Sequence, residues 1–178
     1  MDVLIEEWKI RSRIREMALQ LEEHTTKYDN ELPPVFICVL NGAYKFFTDL
    51  VSEYYGICEI DFVRAKSYDG KDNSAGVEIK KDIEVGLLGK NVYIIDDIID
   101  SGNTMNTLIE HFEKQNPNKI SVVTLLQRKV NLRNRFVGYP VDLYGFEIDD
   151  EWVVGCGLDD NGLRRNLGSI YKKGKTND

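Results

Sequence analysis

The sequence predicts a single doubly wound α/β domain, its mostly parallel sheet covered by helices on both faces. Three observations carry that expectation: an unbroken apolar run, VFICVL, closed by Asn-Gly and followed by helical periodicity; a second unit of the same kind at residues 92–114; and short connections between alternating strand-like and helix-like segments. With 178 residues and no linker, repeat or low-complexity tract, residues 1–178 are expected to share one core.

Taken in order, MDVLIEEWKIRSRIREMALQLEE predicts an amphipathic helix with Ile10, Ile14, Met17, Ala18 and Leu21 on one face. It lacks the order of a signal peptide, so a cytoplasmic protein is expected. Residues 35–40 form a strand and residues 44–55 a helix, periodic through Phe47, Leu50, Val51 and Tyr54. Residues 57–66 read as a strand, and SYDGKDNSAG after it is too polar to bury itself, which predicts a mobile loop. Residues 77–83 alternate like a half-exposed strand. Residues 92–95 then form a strand, an acidic segment forms a loop, and residues 104–114 form a helix; further strands are expected at 120–126, 141–147 and 152–157. In such a sheet ligands bind beyond the carboxyl ends of the strands, where Asn41-Gly42, residues 96–104, Arg128 and Asp159 would collect.

Composition narrows the chemistry. Hydrophobic content of 42% with 30% charged residues is ordinary for a globular domain, and no apolar run is long enough for a membrane span. A net charge of −7 and a pI near 5.0, without a basic run, argue against nucleic-acid binding. Cys38, Cys58 and Cys156 stand singly in apolar stretches, as buried reduced thiols do. His24 and His111 both fall in predicted helices without metal-ligand or triad spacing.

The chemistry gathers in VYIIDDIIDSGNT, where Asp96, Asp97 and Asp100 precede Ser101, Gly102, Asn103 and Thr104. A Gly-containing turn that opens a helix aims free backbone N–H groups at one point, and Ser101 and Thr104 add hydroxyls, so a phosphate fits there. No Walker loop or GxGxxG accompanies it, which favours a monophosphate on a sugar. Ionised aspartates accept hydrogen bonds and repel phosphate, so they would serve ribose hydroxyls, a metal or an acidic proton. The plainer alternative is that Asp97 or Asp100 caps the following helix.

This segment resembles the phosphoribosyl pyrophosphate motif of the type I phosphoribosyltransferases. VFICVLNGAYKFFTDL, KSYDG and WVVGCGLDDNGLRRNLGSIY occur in the order seen in the hypoxanthine (guanine) phosphoribosyltransferases of bacterial type, and the likeness runs from about Val35 to Tyr171. The resemblance implies that fold, with a small hood and a mobile lid. It implies transfer of a 5-phosphoribosyl group, with Mg²⁺, from phosphoribosyl pyrophosphate to N9 of a 6-oxopurine in a homodimer or homotetramer.

By the same resemblance, Asp100 handles the proton near purine N7, residues 101–104 hold the 5′-phosphate, and Asp96 and Asp97 hold the ribose and, with Asp159, the metal. Asn41, Gly42 and Arg165 would contact pyrophosphate, and Asp159 would associate with magnesium. Arg128, Trp152 and Val153 would contact the purine, and Ser67 and Tyr68 would belong to the lid. Three positions depart from the common pattern: Asn41 stands where a basic residue is frequent, Arg128 (followed by Lys129) where Lys is usual, and Asp160 where an aromatic is frequent. Asn41-Gly42 could also be an ordinary turn, Trp152 plain core, and Ser67 and Tyr68 surface loop. Competing readings are a regulatory protein that senses phosphoribosyl pyrophosphate, a receiver domain, and a sister transferase that prefers xanthine, adenine or orotate.

Overall fold

The computed structural model describes residues 1–28, 31–68, 76–100, 102–129 and 141–173. Its main sheet has six strands: β2 (Val35–Leu40), β3 (Glu59–Tyr68), β4 (Gly76–Lys81), β5 (Asn91–Ile99), β6 (Lys119–Arg128) and β7 (Leu143–Ile148), in the order β4-β3-β2-β5-β6-β7. All neighbours are parallel except β3 and β4, which form an antiparallel edge hairpin. A second, three-stranded sheet joins β1 (Asp2–Ile5), β8 (Val153–Val154) and β9 (Ile170–Lys172) in the order β1-β9-β8.

Helices α1 (Glu7–Lys27) and α2 (Tyr44–Glu53) cover one face of the main sheet, and α3 (Asn103–Glu113) covers the other. The run VFICVL shows why it had to be continuous. Phe36 and Cys38 point to the α1/α2 side, Val35, Ile37 and Val39 to the α3 side, and all five are buried. Each fully buried aliphatic or Phe side chain contributes roughly 1.5–3 kcal/mol. Ile10, Ile14, Met17, Ala18 and Leu21 are buried as the helical period predicts.

Several expectations need correction. Asp2–Ile5 is a strand, because its backbone groups pair with β9 rather than continuing the helix. Ser67 and Tyr68 belong to β3, paired with Val77 and Gly76, so the expected loop starts later; residues 69–75 of it lie outside the described residues. Of the strand expected over residues 152–157 only Val153–Val154 forms, since Gly155, Cys156 and Gly157 all have positive φ (97, 50 and 100°). Cys38 and Cys156 are buried, and burial pushes both thiols up to about 12; Cys58 is only half-buried. Among the described residues no helix is long and apolar enough to cross a membrane.

Candidate active site

Three segments remote in sequence meet above the carboxyl ends of β2 and β5. A Cβ added to Gly42 would lie 1.9 Å from Asp97 Oδ2, and one added to Gly157 would lie 2.0 Å from the Gly42 carbonyl oxygen. The Asp97 carboxylate therefore packs on the bare Cα of Gly42, and Gly157 lies against Gly42 from the other side. The Leu40–Asn41 peptide is cis, and Asn41 is exposed.

Asp96 and Asp97 do not follow the strand, as expected from their charge; β5 continues through them to Ile99, with Asp96 opposite Thr124 on β6. Their Cβ atoms alternate across the sheet, yet the two carboxyls touch. Asp96 Oδ1 accepts the Asp97 N–H at 2.9 Å, and Asp97 Oδ1 accepts the Ile98 N–H at 2.9 Å. Burial and then the charge of Asp97 hold Asp96 well above the ordinary carboxylate range. Burial also raises Asp97, against the pull of its hydrogen bonds and of the Arg165 guanidinium.

Beside Asp96 lies a cavity of about 150 Å³ lined by Asp96, Ile98, Ile99, Asp100, Gly102, Thr104 and Met105. Helix α3 opens onto it after Gly102, whose φ of 78° turns the chain, and its first turn carries no acidic residue. Gly102 occupies the cap position itself, so the cap residue brings no side chain to compete for the first N–H groups. Asn103 and Thr104 form the first turn; Ser101 lies outside the described residues.

Asp100, with a side chain 67% exposed, stands across from Arg128 at the end of β6. Arg128 Nε lies 3.2 Å from Asp100 Oδ1, off the line of a hydrogen bond. Its Nη1 donates to the Glu151 carbonyl at 2.8 Å and to Asp150 Oδ1 at 3.2 Å. None of these contacts uses Nη2. Lys129 points elsewhere and pairs with Asp149 at 3.1 Å. Trp152 is 61% exposed, so the plain-core alternative for it fails, while its neighbour Val153 is buried in the hood sheet.

The turn after β8 supplies the last groups. Arg165 Nη2 pairs with Asp159 Oδ1 at 2.8 Å, and Arg165 Nη1 donates to the Gly157 carbonyl at 2.7 Å. Asp159 Oδ2 accepts the Gly162 N–H at 2.6 Å across a tight Asp-Asn-Gly-Leu turn, with φ of 52° at Asn161 and 82° at Gly162. Asp160 pairs with Lys173 at 2.8 Å. Sequence reasoning missed the Gly157–Gly42 contact and Lys173; the Asn-Gly dipeptide was the one local signal of the turn. Among the described residues no three His, Cys, Asp or Glu side chains converge as a metal cage.

The phosphoribosyl transferase domain model matches residues 5–161. The chain is 36% identical over 172 residues to the hypoxanthine phosphoribosyltransferase of Escherichia coli, covering 96% of this chain and 94% of that one. It is 33% identical over 165 residues to the hypoxanthine-guanine-xanthine phosphoribosyltransferase of Tritrichomonas foetus, covering 93% of this chain and 87% of that one. A crystal structure of a hypoxanthine-guanine phosphoribosyltransferase from Bacillus anthracis, with a HEPES molecule in its active site, superposes with a TM-score of 0.86 at 36% identity, over 97% of this chain and 98% of that one. The match spans both the acidic strand and the Gly42–Gly157 junction, and with it this chain belongs to the phosphoribosyl transferase family.

Proposed function

We propose that this protein is a purine salvage enzyme that moves the 5-phosphoribosyl group from phosphoribosyl pyrophosphate to N9 of hypoxanthine or guanine, giving IMP or GMP and pyrophosphate. One observation carries the reading: the Asp96–Asp97 pair, Asp96 buried and Asp97 half-buried, has a phosphate-sized cavity on the Asp96 side and feels the Arg165 charge on the Asp97 side. One ligand with a phosphate at one end, a diol in the middle and a diphosphate at the other suits that succession. The names of the relatives support the same substrates.

In this reading the 5′-phosphate takes the α3 N-terminus with Ser101, Gly102, Asn103 and Thr104. Asp96 and Asp97 accept from the ribose hydroxyls and favour the positive charge that grows on the sugar. Arg165 and the backbone of Asn41 and Gly42 hold the diphosphate. The purine stacks on Trp152, its edge meets the Val153 backbone, and Arg128 Nη2 donates to its 6-oxo group. The N9–C1′ bond forms as the C1′–O bond to pyrophosphate breaks, while the purine proton passes to Asp100. Ser67 and Tyr68, at the end of β3 on the edge hairpin, would help to exclude water from the cleft.

Among the described residues the donors are hard carboxylate oxygens with no preformed cage, which fits an ion that arrives largely on substrate phosphates. Asp159, Asp96 and Asp97 would hold magnesium, which would offset charge on the leaving pyrophosphate. Exposed Tyr55, Ile57 and Ile60 support assembly as a homodimer or homotetramer. The test is formation of IMP from hypoxanthine and phosphoribosyl pyrophosphate, with loss of turnover in excess chelator. Turnover with adenine or orotate but not with hypoxanthine or guanine would overturn the reading.

A further inference from the structure

Lys173 touches both halves of the site at once. Its backbone N–H donates to the Trp152 carbonyl at 2.9 Å, and its Nζ reaches Asp160 Oδ1 at 2.8 Å. Trp152 carries the exposed ring beside the purine end of the cleft. Asp160 follows Asp159, whose carboxylate pairs with Arg165. The Asp160 backbone is itself fixed, because its N–H and carbonyl both pair with Leu163 at 3.0 Å to close the turn. The Asp160 side chain is 14% exposed and that of Lys173 34%, so the pair is shielded from bulk solvent more than most surface pairs. Immediately before it, Lys172 pairs with Glu151, whose carbonyl accepts from Arg128. The end of β9 therefore ties the hood to the diphosphate turn through Lys173 and to the Asp100–Arg128 side through Lys172.

We infer that Asp160 and Lys173 form a positioning pair: their ion pair sets the span between the Trp152 purine platform and the Asp159–Arg165 turn, so that purine and diphosphate are held in register for transfer. Neither residue touches reacting atoms; both act through Trp152 and Asp159. The inference rests on the transferase reading above. It adds that the two half-sites are coupled through a residue outside both.

The experiment compares wild type with Asp160→Asn, Lys173→Met, the double variant and Lys173→Arg. It measures steady-state kinetics with hypoxanthine and phosphoribosyl pyrophosphate, direct binding of IMP, and Tm. Each single variant should raise KM for both substrates about three- to fivefold, the scale of a partly exposed ion pair, with kcat changed less. The double variant should be no worse than Asp160→Asn alone, which removes the contact to Lys173 together with the longer one to Arg164 at 4.0 Å. Lys173→Arg should stay within about twofold of wild type, since it keeps the charge. IMP has no diphosphate to span the gap, so its affinity should barely move, whereas general loosening of the hood would weaken it as well.

Unmoved KM values, additive effects in the double variant, or equal losses of IMP affinity and KM with a lowered Tm would each overturn the positioning role while leaving the transferase reading intact. A wild-type protein without transferase activity would sink both.

Discussion

Asp97 Oδ2 occupies the space that a side chain on residue 42 would need: a Cβ there would sit 1.9 Å from the oxygen and 2.5 Å from the Asp97 Cγ. The bare Cα of Gly42 is thus part of the seat of a carboxylate 55 residues away in sequence. Gly42→Ala should push Asp97 off the ribose side and lower kcat/KM by about 10²-fold or more, the usual result of a displacement near 1 Å in a reacting site. Gly86→Ala, where an added Cβ meets nothing within 4 Å, is the matched control. Near-normal activity in Gly42→Ala would show that Asp97 is free to shift.

In the pH range just above the ordinary carboxylate value, Asp96 keeps its proton in the folded protein after the unfolded chain has released it. Its native value is raised, first by burial and then by Asp97, above the ordinary 3.8. Stability from this group is therefore lost as pH climbs from the unfolded value through the native one. Asp96→Asn keeps an oxygen for the Asp97 N–H and removes the titration. Its Tm at neutral pH should exceed that of wild type, by about 2–4 °C for each kcal/mol relieved, and the gap should widen as pH rises toward neutral. Catalysis should fall in the same variant, because Asn can neither ionise nor offer a second acceptor oxygen to a ribose hydroxyl once its own oxygen takes the Asp97 N–H. A Tm below wild type at every pH would mean that the carboxylate stabilises the fold.

In the proposed function Arg128 links recognition of the base to Asp100, so Arg128→Gln should act in two ways. The glutamine amide can donate or accept, whereas the guanidinium only donates, so selectivity for hypoxanthine over adenine in kcat/KM should fall by about tenfold or more. The kcat for hypoxanthine should also drop, because the partner 3.2 Å from Asp100 is gone. Asp100→Asn should lower kcat by about 10²- to 10⁴-fold. An unchanged base ratio in Arg128→Gln would turn attention to Lys129.

Trp152 is exposed, and its ring supports no core, so Trp152→Ala should leave the folding stability within about 0.5 kcal/mol of wild type. Stacking on a base is worth about 1–3 kcal/mol, so KM for the purine should rise by roughly five- to a hundredfold. Calorimetric titration with IMP checks the same loss without turnover. A large fall in Tm with unchanged purine KM would make Trp152 structural.

Much of the fold was legible because its signals are local. VFICVL is apolar at every position since both faces of its strand are covered, and the α1 stripe has the period of a helix lying on one sheet face. The turn proposed as a phosphate seat was legible for the same reason: Gly102 and the first turn of α3 are neighbours in the chain. The acidic pair misled, because two charges in succession read as the end of a strand. Backbone pairing with β6 is indifferent to side-chain charge, and the strand runs on to Ile99.

The sequence by itself determined the alternation of strands and helices, the Gly-containing turn that opens α3, and the family motifs; each is written in adjacent residues whose backbone preferences and periodicities act over a few positions. Only the tertiary structure decided that Asp97 leans on Gly42, that Gly157 closes against Gly42, that Arg128 turns toward Asp100 and Lys129 toward Asp149, and that Lys173 ties Trp152 to Asp160. These are steric and electrostatic contacts between distant segments. Their existence depends on how two sheets and their connecting turns pack in three dimensions, which no local preference encodes.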